Sequence, residues 1–129
     1  AIVVRMEDTK DFYPIMKSWW KGHGFPVVAL EFLPEKVFIY NNKTDDTYCC
    51  TMYKTDSLLA WTAWPISNPK LKSDKDQLKE IFLAIEKYAK ELGYMMLFTT
   101  SRHETVINKL LEIDFIKGDE DVKHYLKII

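Results

Sequence analysis

Leu58-Leu59-Ala60-Trp61-Thr62-Ala63-Trp64 is an apolar run of strand character that leads into Pro65-Ile66-Ser67-Asn68-Pro69-Lys70-Leu71-Lys72. The two prolines and the Ser-Asn pair of that second stretch read as a loop. Beyond it, apolar residues recur at Leu78, Ile81, Phe82, Ile85, Tyr88, Ala89 and Leu92. That is the i, i+3, i+4, i+7 spacing of a helix packed on one face. Ser73 is the expected N-cap, Asp76 an acidic first-turn residue, and Gly93 stands where a C-terminal cap belongs. Tyr94-Met95-Met96-Leu97-Phe98-Thr99-Thr100 follows, apolar and short enough to be a buried strand. Strand, helix, strand in this order predicts a βαβ crossover between two parallel neighbours. A helix opening beside the C-terminal end of a strand also stabilises an anion.

Upstream, residues 2–6 read as an opening strand and residues 8–20 as a helix with Phe12, Ile15, Met16, Trp19 and Trp20 on its apolar face. Pro14 fits that helix if it begins near Asp11, which places the ring in the first turn. Gly22 and Gly24 end it, and residues 25–35, bracketed by Pro26 and Pro34, read as an extended loop. Residues 37–40, 47–53 and 58–64 are three strands joined by the polar turns Asn41-Asn42-Lys43 and Thr55-Asp56-Ser57, an antiparallel meander. Downstream, Ser101-Arg102-His103-Glu104 is a capping box for a last helix with the stripe Val106, Ile107, Leu110 and Leu111. Asp114-Phe115 closes it, Gly118-Asp119-Glu120-Asp121 is a surface turn, and residues 122–129 alternate as a terminal strand. The predicted order is β-α-β-β-β-α-β-α-β, an α+β domain with a mixed sheet, and residues 1–129 read as a single domain.

Composition narrows the function classes. With 47% hydrophobic and 29% charged residues and a formal charge of −1, the 129-residue chain has the balance of a globular domain rather than a nucleic-acid binder or a polybasic membrane anchor. No apolar run approaches the roughly 20 residues of a membrane span, and the first residues lack the pattern of a secretory signal. Cys49 and Cys50, adjacent on a strand, face opposite ways and read as small apolar fillers, with no metal site and no disulfide. A reducing, cytoplasmic compartment is the expectation.

The order of elements, with a βαβ unit after a three-stranded meander, resembles the GNAT superfamily of acyl-CoA N-acyltransferases over essentially the whole chain. Residues 101–115 look like the family's closing helix, with Asp114-Phe115 where Gly-Phe is usual. Ile66-Ser67-Asn68-Pro69 and the lysines after it look like a divergent branch often carried by bacteriophages. The resemblance implies that the fourth strand splays from the fifth and that its backbone, here at Trp64 and Ile66, pairs with the pantetheine arm of acetyl-CoA. It also implies that the next loop turns its N–H groups onto the pyrophosphate. The matching residues are Lys70, Leu71, Lys72, Ser73, Asp74 and Lys75, where Lys70 takes the family's Arg position and none of the family's glycines is present. Lys70, Lys72 and Lys75 place charge near such phosphates, though a solvated loop accounts for the same lysines.

The family's usual acid and base are missing. No Glu or Asp lies in residues 58–68, and Leu110 occupies the position of the general-acid Tyr. His103, in the first turn of the last helix, is the one catalytic candidate, against the plainer reading of a surface residue. His23 has no carboxylate neighbour and is given no role, and His124 reads as a sheet-face residue. Trp61 and Trp64, three apart on a strand, are expected on opposite faces, one in the core and one lining a substrate cleft. Trp61 is the candidate for substrate contact, and Trp19 and Trp20 read as core. Two functions stay open: an N-acetyltransferase moving an acetyl group from acetyl-CoA to an unidentified amine, or a non-catalytic module of the same fold that binds CoA or a protein partner.

Overall fold

The computed structural model describes residues 3–129. Strands β1 (Val4–Asp8), β2 (Lys36–Asn41), β3 (Asp46–Tyr53), β4 (Leu59–Ser67) and β5 (Met96–Phe98) form one sheet in that spatial order. The first four are antiparallel neighbours, and β4 and β5 are parallel. Helix α1 (Thr9–His23) joins β1 to β2, α2 (Gln77–Glu91) makes the crossover from β4 to β5, and α3 (Glu104–Glu112) follows β5. This is the α+β meander with a βαβ crossover that the residue pattern predicts. Ile2, expected in the first strand, lies outside the described residues.

The sheet is buried on both faces because its middle strands alternate between two apolar sets. Phe12, Met16, Trp19 and Trp20 of α1 pack on Val37, Ile39, Cys49 and Ile66. On the other face Leu78, Ile81, Phe82, Ile85 and Ala89 of α2, with Leu110 of α3, pack on Phe38, Tyr40, Tyr48, Cys50, Met52 and Ala60. The adjacent cysteines therefore serve opposite cores as free thiols, and burial pushes both well above the usual thiol range.

Several boundaries differ from the sequence expectation. Helix α1 starts at Thr9, whose N–H donates to Glu35 O (2.8 Å), so Pro14 lies inside the helix rather than in a first turn begun at Asp11. Its far end runs through Gly22 to a left-handed cap at Gly24 (φ 75°). Strand β4 continues through Pro65 to Ser67, where a loop is expected, and a bulge makes room for the proline. Thr51 pairs with Ala63 and Cys49 with Ile66, which sets Trp64 and Pro65 together against Cys50. Trp64 sits at φ 60°, and the extra residue resets the alternation of the strand.

Helix α2 is not capped by Ser73. It begins at Gln77 after a turn in which Asp74 Oδ1 accepts the Asp76 N–H (2.9 Å) and Asp74 O accepts the Gln77 N–H (3.3 Å). Its end matches expectation, with Gly93 at φ 92° and the Tyr94 N–H returning to Ala89 O. Strand β5 is shorter than residues 94–100 and is not buried: only Leu97 reaches the core, while Met96 and Phe98 face solvent. Helix α3 starts two residues late for a Ser101 capping box, because Ser101 Oγ accepts the His103 N–H (3.2 Å) and His103 becomes the N-cap. Leu110 is buried but Leu111 is exposed. Residues 122–129 form no strand, and Val122, Tyr125, Leu126, Ile128 and Ile129 are all exposed.

Candidate active site

The parallel ladder between β4 and β5 stops at Trp61 opposite Phe98. One step further, two threonines bridge the strands: Thr99 Oγ1 donates to Thr62 O (3.3 Å) and Thr62 Oγ1 lies 3.5 Å from Phe98 O. Beyond that point the chain after β5 turns toward α3, while β4 runs on to Ser67 with no strand on that side among the described residues. The free stretch, residues 63–67, is about 16 Å long at about 3.3 Å per residue. The bulge at Trp64 bends β4 away, and Pro65 removes one N–H that would otherwise need a partner. The result is an open slot whose one wall is an unpaired strand edge.

At the upper end of the slot lies the loop of residues 68–76, held at both ends by the start of β3. Asn68 N–H donates to Thr47 O (2.9 Å) and Asn68 Nδ2 to Asp46 O (3.2 Å). At the helix end, buried Thr47 Oγ1 donates to Gln77 Oε1 (2.8 Å), and Tyr40 OH donates to Asp74 Oδ2 (3.1 Å). Burial, aided by the Asp74 carboxylate, pushes the Tyr40 phenol up to about 12. Between these anchors Lys70, Leu71, Lys72, Ser73 and Lys75 are exposed. The backbone N–H groups of Lys72, Ser73, Lys75, Leu78 and Lys79 have no acceptor among the described residues. Free amides at a helix N-terminus with three lysines nearby favour an anion, and the carboxylates of Asp74 and Asp76 oppose it.

Other sequence candidates sort by face. Ile66 is buried under α1, so it can offer the slot only backbone. Trp61 and Trp64 do not face opposite ways. The bulge turns both to the α1 side, where Tyr53 stacks on Trp61 (ring centroids 5.3 Å apart) and its OH accepts Trp64 Nε1–H (2.7 Å). The Trp61 indole N–H is buried with no acceptor among the described residues. His103 is exposed beyond the end of β5, and its side chain makes no cap bond. His124 is exposed in residues 122–129. Leu110 is buried in the α2 face, leaving no hydroxyl there.

A residue that the sequence reading passes over is His23. Its Nε2 lies 2.9 Å from Ser67 O and 3.2 Å from Ser67 Oγ, which joins the end of α1 to the end of β4. Beside it, a Cβ on Gly22 would meet Pro69 Cγ at 2.5 Å. These contacts span more than forty residues of sequence, so only the Gly-His-Gly triplet hints at them. No group of three or more His, Cys, Asp or Glu able to hold a metal occurs among the described residues. Two cavities of about 220 and 240 Å3 lie elsewhere, one against Phe38, Tyr53 and Tyr88 and one at the N-terminus of α1.

Several solved structures of similar shape are acetyltransferases. An aminoglycoside acetyltransferase from an uncultured soil metagenomic sample, in complex with sisomicin, is 13% identical with a TM-score of 0.72, covering 98% of this chain and 95% of that one. The fold is that of the GNAT acetyltransferases. A GNAT-family acetyltransferase from Streptococcus pneumoniae TIGR4 is 11% identical (TM-score 0.65), covering all of this chain and 98% of that one. N-acetylglutamate synthase from Neisseria gonorrhoeae, complexed with coenzyme A and N-acetyl-glutamate, is 14% identical (TM-score 0.65) over 94% of this chain and 30% of that one. No protein-family model matches the chain, and no curated protein matches it.

Proposed function

We propose that this GNAT-like domain is an acyl-CoA-dependent N-acetyltransferase acting on an amine. The observation that carries the reading is the parting of β4 from β5 after Trp61, which leaves an unpaired strand edge leading to free amides at the start of α2. A pantetheine arm is itself a chain of amides, so it pairs with such an edge as an added strand would. Trp64 and Ile66 contribute backbone, residues 70–75 receive the pyrophosphate, and Lys70, Lys72 and Lys75 supply the charge. Trp61, whose buried indole N–H has no acceptor among the described residues, is the candidate for substrate contact.

In the reaction the amine nitrogen attacks the thioester carbon and the C–S bond breaks. CoA leaves as the thiolate, and the proton lost by nitrogen ends on sulfur or in water. Holding the two reactants together supplies much of such a rate. His103 is the candidate proton acceptor. The buried Cys49 and Cys50 thiols fit a reducing compartment such as the cytoplasm.

The second reading, a non-catalytic module of the same fold, is favoured by one observation. The Asp74 and Asp76 carboxylates stand where the pyrophosphate belongs, in a loop without glycine. Calorimetric titration of the protein with acetyl-CoA, with desulfo-CoA and ATP as controls, tests both. Saturable binding that weakens in Lys70→Glu and Ser73→Pro supports the cofactor site, and thiol release with an amine panel then supports the enzyme. Binding without turnover over a broad panel favours the module. No binding at millimolar acetyl-CoA removes the acyltransferase reading.

A further inference from the structure

The cavity of about 240 Å3 at the start of α1 is lined by Thr9, a residue only 1% exposed. Its Oγ1 makes no hydrogen bond among the described residues. A threonine hydroxyl in a helix ordinarily returns to a carbonyl one turn back. One turn back from Thr9 the chain is strand β1, so no helical carbonyl is there to take it. A buried hydroxyl is costly to leave unbonded and calls for a partner. The helix end beside it is open as well. Asp8, the N-cap residue, makes no cap bond, because Lys36 Nζ donates to its Oδ1 (2.5 Å). The amides of Lys10 and Asp11 have no acceptor within the helix, since the residues four back lie in β1.

We propose that this cavity binds a free α-amino acid with a small apolar side chain. The ligand carboxylate accepts from Thr9 Oγ1–H and meets the first-turn amides at the positive end of the α1 dipole. Lys10, exposed on the rim, adds positive charge. The Glu35 carboxylate on the same wall opposes a plain anion. An ammonium group on the ligand turns that opposition into an ion pair, so a zwitterion fits where a simple carboxylate does not. Asp8 adds little repulsion because Lys36 already pairs with it. Leu30, Leu33 and Pro34 give the side chain an apolar wall, and the volume suits a molecule of valine size rather than a nucleotide. The cavity lies at the opposite end of α1 from His23 and Ser67, about 20 Å along the helix at 1.5 Å per residue. It is therefore separate from the free amides at the start of α2, and the inference does not rest on the acyl-transfer reading.

Amide chemical shifts of the whole chain, followed by heteronuclear NMR, test this with three probes: L-valine, isovalerate (no ammonium) and isobutylamine (no carboxylate). L-Valine is expected to shift the Thr9, Lys10 and Asp11 amides saturably, isovalerate to bind roughly fivefold more weakly, and isobutylamine not to bind. Thr9→Val keeps the shape and removes the hydroxyl. It is expected to weaken L-valine roughly five- to tenfold while leaving the melting temperature the same or higher, because an unbonded buried hydroxyl is gone. Glu35→Gln, at an exposed position, is expected to weaken L-valine to the level of isovalerate and to leave isovalerate no weaker. No saturable shift with L-valine at tens of millimolar overturns the proposal. So does equal affinity for isovalerate and L-valine, or unchanged L-valine affinity in either variant. A Thr9→Val protein that melts markedly lower overturns it too, since the hydroxyl would then already be bonded in the free protein.

Discussion

The β1–β4 meander and the β4–α2–β5–α3 half obey the same packing rules and end differently. In the meander the inner strands β2 and β3 are paired along both edges and covered on both faces, so Val37, Ile39, Cys49 and Cys50 are fully buried. In the other half β5 has three residues, one paired edge and two exposed apolar side chains. The comparison teaches where a site can form. Pairing consumes backbone donors and acceptors, so a backbone ligand can enter only where pairing stops, and β4 belongs to both halves.

The sharpest way to break this comparison is truncation in each half. Ile39→Ala is expected to cost about 2–4 kcal/mol in urea denaturation, because it leaves a cavity between α1 and the sheet, whereas Met96→Ala on β5 is expected to stay within about 0.5 kcal/mol. Equal losses would mean that β5 is as buried as β2. Next in size is Gly22→Ala. Its Cβ collides with the Pro69 ring, and the expected loss is about 1–3 kcal/mol. Because Pro69 opens the loop at the slot, acetyl-CoA affinity should fall with it. Unchanged stability would show that the contact between α1 and the loop yields freely.

Two smaller effects sharpen the contrast. Lys72→Glu changes an exposed side chain and should leave the melting temperature alone, while weakening acetyl-CoA binding by roughly three- to tenfold, about 1 kcal/mol. A loss of stability without a loss of affinity would reverse the assignment of that loop. The smallest is confined to acid. The Arg5 guanidinium, at 2.7 and 2.9 Å, holds the Asp46 carboxyl below the usual carboxylate range, with Asn41 adding to the effect. Asp46 therefore stabilises the fold fully above about pH 4, and that contribution is lost as pH falls through its lowered value. Asp46→Asn should be modestly less stable than wild type near neutrality, and the gap between the two should shrink from about pH 4 downward and close below the lowered value of Asp46. A gap that persists in acid would assign the effect to packing.

Elements with a strong local period were legible in the residues: the α2 stripe, the three meander strands, the Gly93 cap and the opposed Cys49 and Cys50. The candidate site was legible only in outline. The loop of residues 70–75 does lie at the start of α2, but its anchors, Asn68 on Thr47 and Gln77 on Thr47, are polar contacts across 20 to 30 residues and carry no period. Burial of β5 was misread because an apolar run shows affinity for a cover and not whether a cover is present. Residues 122–129 alternate as a strand would but form none, because alternation supplies no partner edge.

By itself, then, the sequence determined which segments become strands and helices and which of their faces are apolar, since those depend on neighbours a few residues apart. The tertiary structure alone decided that one extra residue at Trp64 would turn both tryptophans toward Tyr53. It also decided that His23 would meet Ser67 and that β4 would leave β5 after Trp61. Each of these depends on the register between strands and on contacts between distant segments, and both exist only after the sheet has formed.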